Sequence, residues 1–269
     1  MNGFYIYCII SEDGPKKFNV KGIDNKSGVF VLRYKDLGAV VSTINLSDFG
    51  ESELKKKLDD LKWTKRAVLN HQRVINKVMD ERTVLPMRFG VTYKGGQIEE
   101  VLKKNYRKFK SILESLAGKK EWGVKVFCDQ SRLISKIQAN DGSIKKLREQ
   151  LKISSEGKRF FLQKKINAVA ELKLEEEINK YSGKFLEKLS KDSDKYVLND
   201  TSPKELTGRN EEMIISAAYL VADKELVGFE KDLDELRKRY FEERFLLELS
   251  GPWPPYNFVN SDDKSKKAK

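Results

Sequence analysis

The residue types that most often hold metals or carry out catalysis are scarce in this sequence. It contains one histidine, His71, and two cysteines, Cys8 and Cys128, which are far apart along the chain. A structural zinc site needs several Cys or His ligands at close spacing, so this pattern excludes a zinc site built from those ligands. His71 lies in the middle of a helical pattern, and we interpret it as a surface or packing residue.

The sequence also lacks the patterns typical of nucleotide-binding loops and of catalytic or calcium-binding carboxylates. No segment matches the phosphate-binding patterns GxxxxGK[ST] or GxGxxG, and we expect Gly95-Gly96 to form a turn. None of the 41 acidic residues matches a calcium-binding loop or stands in an apolar setting that would shift its pKa. The sequence therefore predicts no cofactor and no metal, and we expect the protein not to be an enzyme.

The composition is that of a globular chain with many charged helix faces. Its 269 residues are 39% hydrophobic and 35% charged, which allows two domains. No apolar run reaches the 18 residues expected of a membrane-spanning helix, and the opening MNGFYIYCII lacks the basic region of a signal peptide. Both cysteines lie in strand-like apolar runs, which predicts buried free thiols in a reducing cytoplasm.

A net charge of +12 makes nucleic acid a partner to consider. The lysines, however, are spread over helical segments beside Asp and Glu, as in KKKLDDLKWTKR, which is typical of solvated helix faces. Compared with an RNA-recognition motif, residues 26–33 match only at Lys26, Phe30 and Val31 and lack two of the three stacking aromatics. Nucleic-acid binding is therefore kept as the alternative function.

Apolar periodicity predicts eight strands and four long helices. The predicted strands are 3–10, 28–34, 37–44, 83–90, 121–129, 194–200, 211–222 and 243–250. The predicted helices are 54–79, 98–116, 160–189 and 226–240. In the first strand, simple alternation puts Phe4, Ile6, Cys8 and Ile10 on one side and Tyr5, Tyr7 and Ile9 on the other.

This order of elements predicts an α+β protein of two domains, each with helices packed on a mostly antiparallel sheet. We expect an N-terminal domain over 1–118 and a C-terminal domain over 119–259. The second half has the order β-α-β-β-α-β, which is that of ferredoxin-like domains. Residues 260–269, NSDDKSKKAK with a basic end, are predicted to be disordered.

The segment GPWPPY, residues 251–256, has an unusual composition for the end of a strand. Its three prolines lack an N–H, so it cannot be a central strand. Trp253 and Pro254 each precede a proline, which favours extended geometry and fixes the directions of Trp253 and Tyr256. Such a rigid aromatic pair either stabilises its own domain or docks a partner, and the residues alone leave both open.

A second segment, VLPMRFGVTY at 84–93, combines an apolar strand pattern with a proline and a charge. Pro86 indicates an edge strand or the beginning of a strand. Arg88 stands between Met87 and Phe89, and two interpretations are open. It is either a buried or interfacial arginine paired with a carboxylate of the same fold, or part of a surface for a partner.

The two segments VLPMRFGVTY and SGPWPPYNFV (250–259) resemble the two signature blocks of the gas vesicle accessory proteins of the F/L type. Further stretches, including FYIYCII, LGAVVSTI and SAAYLVADKELVGFEKDLDEL, are similar to other blocks of that family, in order, from about residue 3 to 259. The resemblance implies a cytoplasmic accessory protein of gas vesicle assembly. Its partners would be the small hydrophobic shell protein and other accessory proteins, and the F or L branch stays open.

The resemblance also suggests what such a partner requires. A subunit of a gas-filled wall exposes apolar surface before it polymerises, and exposed apolar edges aggregate. An accessory protein can cover that surface by strand addition or with a groove. We therefore predict one partner-binding surface flanked by residues of both signature blocks. These are Pro86, Arg88, Phe89, Trp253, Pro254, Pro255 and Tyr256.

Overall fold

The computed structural model describes residues 2–11, 17–259 and 266–267, and the backbone hydrogen bonds of these residues define two sheets. The strands are β1 (Asn2–Ser11), β2 (Lys17–Lys21), β3 (Gly28–Tyr34), β4 (Leu37–Asn45), β5 (Leu85–Pro86), β6 (Thr92–Lys94), β7 (Lys119–Cys128), β8 (Lys195–Leu198), β9 (Glu212–Ala222), β10 (Phe245–Trp253) and β11 (Lys266–Lys267).

The helices connect these strands and include one short 3₁₀ helix, Tyr256–Phe258, near the end of the chain. The α-helices are α1 (Leu46–Phe49), α2 (Glu51–Lys57), α3 (Leu61–Met79), α4 (Gln97–Lys104), α5 (Tyr106–Leu116), α6 (Gln130–Asn140), α7 (Gly142–Lys152), α8 (Glu156–Ser190), α9 (Lys204–Thr207) and α10 (Leu226–Arg239). No helix in the described ranges is long and apolar enough to cross a membrane.

Of the described residues, the first compact unit contains 2–11, 17–121 and 252–259, and its sheet has the order β2-β3-β4-β1-β5, with β6 also pairing with β1. The β1–β4 and β3–β4 ladders are antiparallel, as the α+β prediction requires. Helix α3 packs on one face of the sheet through residues such as Val74 and Val78. Helices α4 and α5 pack on the other face through residues such as Leu102 and Leu113.

Strand β1 is buried on both faces, but the simple alternation predicted for it is wrong beyond Ile6. The ladder with β4 shifts register between Ile6 and Cys8, which is a β-bulge. Because the bulge adds one residue, Cys8 and Ile10 face the same cluster as Tyr5 and Tyr7. The opposite cluster receives Phe4, Ile6 and Ile9.

Two helices that the periodicity predicts as continuous are each interrupted. The predicted helix 54–79 breaks before Asp60, whose carboxylate accepts hydrogen bonds from the backbone N–H groups of Lys62 and Trp63 and begins α3. The predicted helix 98–116 breaks at Asn105, which separates α4 from α5.

The predicted strand 83–90 is also wrong in extent. Only Leu85–Pro86 is a strand here, antiparallel to β1 with Cys8 opposite Pro86. Pro86 has no N–H for a further ladder bond, and Gly90 turns the chain with a left-handed φ of +89°. Of the two positions predicted for Pro86, an edge strand or the beginning of a strand, the structure shows the first, since β5 lies at one end of the sheet order.

Of the described residues, the second compact unit contains 122–251 and 266–267, and its sheet has the order β10-β7-β9-β8-β11. Its main core joins the sheet to α8 and α10 through side chains such as Phe185 and Phe229, and a smaller cluster lies among α6, α7 and α8. The unit runs through β7, helices, β8, β9, α10 and β10 in the predicted order. The ferredoxin-like assignment stays a prediction.

The compact units divide the chain differently from the predicted boundaries. Residues 252–259, which the sequence placed in the second domain, belong to the first unit, because Tyr256 and Asn257 bond to residues of that unit. Within the tail predicted to be disordered, 260–265 and 268–269 lie outside the described residues. Lys266–Lys267 instead pair with β8.

Candidate partner-binding site

The centre of the candidate site is His71, which the helical pattern predicts to be a surface or packing residue. Helix α3 presents it to the sheet on the same face as Ala67, Val74 and Val78, and its side chain is 2% exposed. His71 Nδ1 lies 2.9 Å from the hydroxyl oxygen of Tyr5, and His71 Nε2 lies 3.1 Å from that of Tyr256. The imidazole therefore joins the first strand to the C-terminal segment.

Burial fixes the protonation of this network. Desolvation lowers the pKa of His71 to about 4, so the ring is neutral near pH 7. A neutral imidazole has one nitrogen that donates and one that accepts, which matches two tyrosine hydroxyl partners. Burial also raises the pKa of Tyr5 and of Tyr256, so both phenols keep their protons.

The signature segment 84–93 reaches His71 and its partner Tyr5 through two adjacent residues. The Phe89 ring lies edge-on to the His71 ring, with 5.7 Å between the ring centres. The backbone N–H of Gly90 donates to the Tyr5 hydroxyl at 2.9 Å. The backbone N–H of Met87 donates to the carbonyl of Tyr7 at 2.8 Å, so the segment is anchored along β1 before it turns.

The signature segment 250–259 reaches the same unit through Tyr256 and the residue after it. Asn257 donates to the buried Glu121 carboxylate twice, from its backbone N–H at 3.0 Å and from Nδ2 at 2.7 Å. Burial raises the pKa of Glu121, and the two bonds from Asn257 act against that rise. Glu121 and His71 thus hold the two consecutive residues Tyr256 and Asn257.

The structure divides the seven predicted site residues into two groups. Pro86, Pro254 and Pro255 are buried, and Phe89 and Tyr256 are partly buried against the core around His71. These five have few atoms available to another molecule. The packing of Tyr256 supports the interpretation in which this residue stabilises its own domain.

Arg88 and Trp253 are the two exposed members of the predicted set. Arg88 is exposed, and no hydrogen bond or ion pair joins it to the residues that the structure describes. Arg88 is therefore not buried, and the carboxylate partner expected for a buried or interfacial arginine is not found among the described residues. Trp253 is 44% exposed and ends β10, directly before the two buried prolines.

The anchoring residues His71, Glu121 and Asn257 were missed because their partners are remote in sequence. His71 contacts Tyr5 and Tyr256 at separations of 66 and 185 residues. The sequence does contain one indication that His71 is buried. It lies four residues after Ala67 and three residues before Val74, on the apolar stripe of α3.

A separate cavity of about 560 Å³ opens on the first unit beside α3. Lys57 Nζ lies over the rings of Phe49 and Trp63, at 5.2 Å and 5.6 Å from their centres, and donates to the carbonyl of Asp48. The Lys57 ammonium group beside this cavity is therefore already held by groups of the protein itself.

Among the described residues, no three His, Cys, Asp or Glu side chains are grouped so that they could hold a metal ion.

Comparisons with known families and structures agree over nearly the whole chain. The model of the family described as "Gas vesicle synthesis protein GvpL/GvpF" matches residues 3–260. Gas vesicle protein L1 of Halobacterium salinarum is 28% identical over 96% of this chain and 90% of its own length. Gas vesicle protein F1 of the same organism is 26% identical over 95% of this chain and 92% of its own length.

The fold is also found in solved structures. The crystal structure of the gas vesicle protein GvpF from Anabaena matches with a TM-score of 0.78 and 20% identity, covering 97% of this chain and 99% of that one. GvpF from Microcystis aeruginosa matches with a TM-score of 0.70, also at 20% identity, covering 96% of this chain and 99% of that one. At this level of identity the likeness establishes the α+β fold.

Proposed function

Because the chain belongs to the gas vesicle synthesis protein GvpL/GvpF family, we propose that it binds the hydrophobic shell protein during gas vesicle assembly. By covering apolar surface of shell subunits, it limits their aggregation and assists nucleation or assembly of the wall. Other accessory proteins are further partners in this proposal. The role is one of binding, without a catalysed reaction, in the cytoplasm and at the vesicle.

The observation that carries the proposal is the convergence of both signature segments on His71. Phe89 and Tyr256 contact the same buried imidazole, although they lie far apart in sequence. Arg88 directly precedes Phe89, and Trp253 lies three residues before Tyr256. The anchors thus hold the two exposed residues on rigid backbone, which reduces the conformational entropy that binding would otherwise cost.

The chemistry of the two exposed residues suits a partner that is mainly apolar. The Trp253 indole offers a large flat apolar surface, and tryptophan and arginine are the residues most enriched at the centres of protein interfaces. The Arg88 guanidinium can donate to a carboxylate or to unpaired carbonyl groups of an exposed strand edge. The five buried or partly buried members of the set then act by holding this surface in place.

The test is a pull-down of shell protein by purified chain carrying Trp253→Ala, Arg88→Glu or both. Arg88 is exposed and Trp253 is 44% exposed, so we expect at most a small change in melting temperature and about tenfold weaker binding for each change. Matched controls in the same unit are Leu61→Ala and Arg66→Glu, which are exposed but lie outside the signature segments. Binding by the double variant that equals wild type would discard the proposal.

The same preparation tests the alternative of nucleic-acid binding. Affinity for a polyanion falls steeply as salt rises, because bound counterions are released. Binding through apolar surface should change little between about 50 and 200 mM salt. A chain that ignores shell protein but binds nucleic acid with a steep salt dependence would favour the alternative.

A further inference from the structure

The long helix α8 carries apolar side chains on a face that no described residue covers. Phe161 is 71% exposed and Leu172 is 62% exposed. Their spacing of 11 residues is about three turns of an α-helix, so both lie on one face, about 16 Å apart. The face toward the neighbouring helices is a different one, formed by Leu162, Ile166 and Ala170.

Charge along the same part of α8 is segregated. Residues 158–165 contain four Lys or Arg and no acidic residue, whereas 171–177 contain four Glu and one Lys. The four cations in the first stretch are all exposed, and three of the four Glu in the second stretch are exposed as well. A second copy of the helix, running in the opposite direction, would therefore present opposite charge at both ends of this stretch.

We propose that two copies of this chain pair through antiparallel α8 helices, with a two-fold axis at the level of Ile166 and Asn167. In this register Phe161 of each copy packs against Leu172 of the other. An isologous contact of this kind uses one surface patch twice, so both apolar pairs form together. The inference is independent of the proposed function, because it uses none of the signature residues.

The charged residues beside the apolar face fit the same register. Lys158 and Glu176 are 18 residues apart, which is about five turns, so they lie on the same side of the face. Lys164 and Glu171 are seven residues apart and lie together on the other side. The two-fold axis places each flank of the apolar face against the same flank in the second copy. Lys158 of one copy therefore lies near Glu176 of the other, and Lys164 of one copy lies near Glu171 of the other.

Contacts within one copy leave these groups exposed, although Lys164 Nζ already lies 4.7 Å from the centre of the Phe160 ring. Lys158 and Glu171 form no ion pair with the residues that the structure describes. Glu176 pairs with Lys173, but both side chains are exposed and such a pair stabilises little. One feature opposes pairing: Lys165 of each copy lies near the axis. The contact is also short, so we expect a weak dimer that forms in the micromolar range.

Sedimentation equilibrium of the full chain at concentrations from about 1 to 200 µM tests the proposal, with this range set by the micromolar expectation. We expect reversible dimerisation, and Phe161→Glu should raise the dimer dissociation constant about tenfold or more. Leu172→Glu serves as a second variant on the same face, so that one poorly folded protein does not decide the result. Phe241→Glu, at a 57% exposed site of the same unit outside α8, is the matched control and should leave the dimer intact.

Charge changes test the register itself. Lys158→Glu and Glu176→Lys should each weaken the dimer, and the double variant should restore it. Lys165→Leu should strengthen the dimer, a gain that general damage to the protein would not produce. Three outcomes would each overturn the proposal. The wild-type chain is monomeric at all concentrations, the dimer survives both Phe161→Glu and Leu172→Glu, or the double charge variant dimerises no better than the single variants.

Discussion

Replacing Tyr5 with Phe tests the network around His71 with the loss of a single oxygen atom. The Tyr5 side chain is completely buried, and its hydroxyl contacts two groups: the Gly90 N–H at 2.9 Å and His71 Nδ1 at 2.9 Å. Phenylalanine keeps the ring and its contacts with Tyr7 and Phe89. The variant therefore removes hydrogen bonds while leaving the packing of the core in place.

The expected cost follows from the groups left without a partner. A buried donor or acceptor that loses its hydrogen bond costs about 1–3 kcal/mol. Tyr5→Phe removes the hydroxyl partner of His71 Nδ1, in a ring that also bonds the backbone of Met87, and the hydroxyl partner of the Gly90 N–H, which is only partly buried. Since water can reach the second group more easily, we expect a loss of about 2–4 kcal/mol in the unfolding free energy of the first unit.

Hydrogen exchange followed by mass spectrometry is the suitable assay, because it reports the two units separately. Peptides from α3 and from 84–93 should lose protection in Tyr5→Phe, while peptides from α10 should not change. Tyr106→Phe is the matched control, since that hydroxyl donates to Asp36 at the surface and its loss should cost less than about 1 kcal/mol. Equal protection in the two variants would refute the role given to the His71 network.

Three further predictions concern the same unit. The pKa of His71 is about 4 in the folded chain and about 6.5 in the unfolded chain, so the unfolded state binds a proton first as the pH falls. The free energy of unfolding should therefore fall by up to about 3 kcal/mol from pH 6.5 to pH 4. Urea unfolding at several pH values measures this fall, and His71→Gln should lose less unfolding free energy over the same pH range. Asn257→Ala removes one of two hydrogen bonds to the buried Glu121 and should cost about 1–3 kcal/mol in urea unfolding; a neutral result would show that water replaces the amide. In Gly90→Ala the added methyl group would have Leu54 Cδ1, at 4.0 Å, as its nearest neighbour, so steric contact should cost little. The expected loss of about 1–2 kcal/mol in unfolding free energy should come from the left-handed φ, and Gly90→Asn should lose less in the same assay.

The sequence predicted the fold well where apolar periodicity is regular. The strand 28–34 is found with the same ends, and the predicted strand 211–222 and helix 226–240 each differ by one residue at one end. These segments have unbroken patterns with turn residues on either side. Periodicity alone is sufficient there, because local preference and burial favour the same structure.

The errors lie where one residue overrides the pattern. Asp60 begins a new helix inside an otherwise continuous apolar stripe, and Gly90 ends an extended segment by adopting a positive φ. The bulge in β1 depends on pairing with β4, which the sequence of β1 does not reveal. Each is a local backbone choice that hydrophobic spacing does not report.

The partner-binding role of the seven residues stays a prediction, and the structure shows only where each of them lies. The residue types of both signature segments indicated where to look, but the pattern did not separate anchors from exposed residues. That distinction depends on contacts such as His71 with Tyr256, which span most of the chain. Burial then leaves Arg88 and Trp253 as the exposed members of the seven predicted residues.

The most direct test of the central claim is the light scattered by shell protein diluted from denaturant in the presence of this chain. We predict that the wild-type chain at about equimolar amount suppresses scattering, as expected for shielding of exposed apolar surface. The chain with both Arg88→Glu and Trp253→Ala should suppress it much less. Scattering that rises equally with and without the wild-type chain would contradict the account.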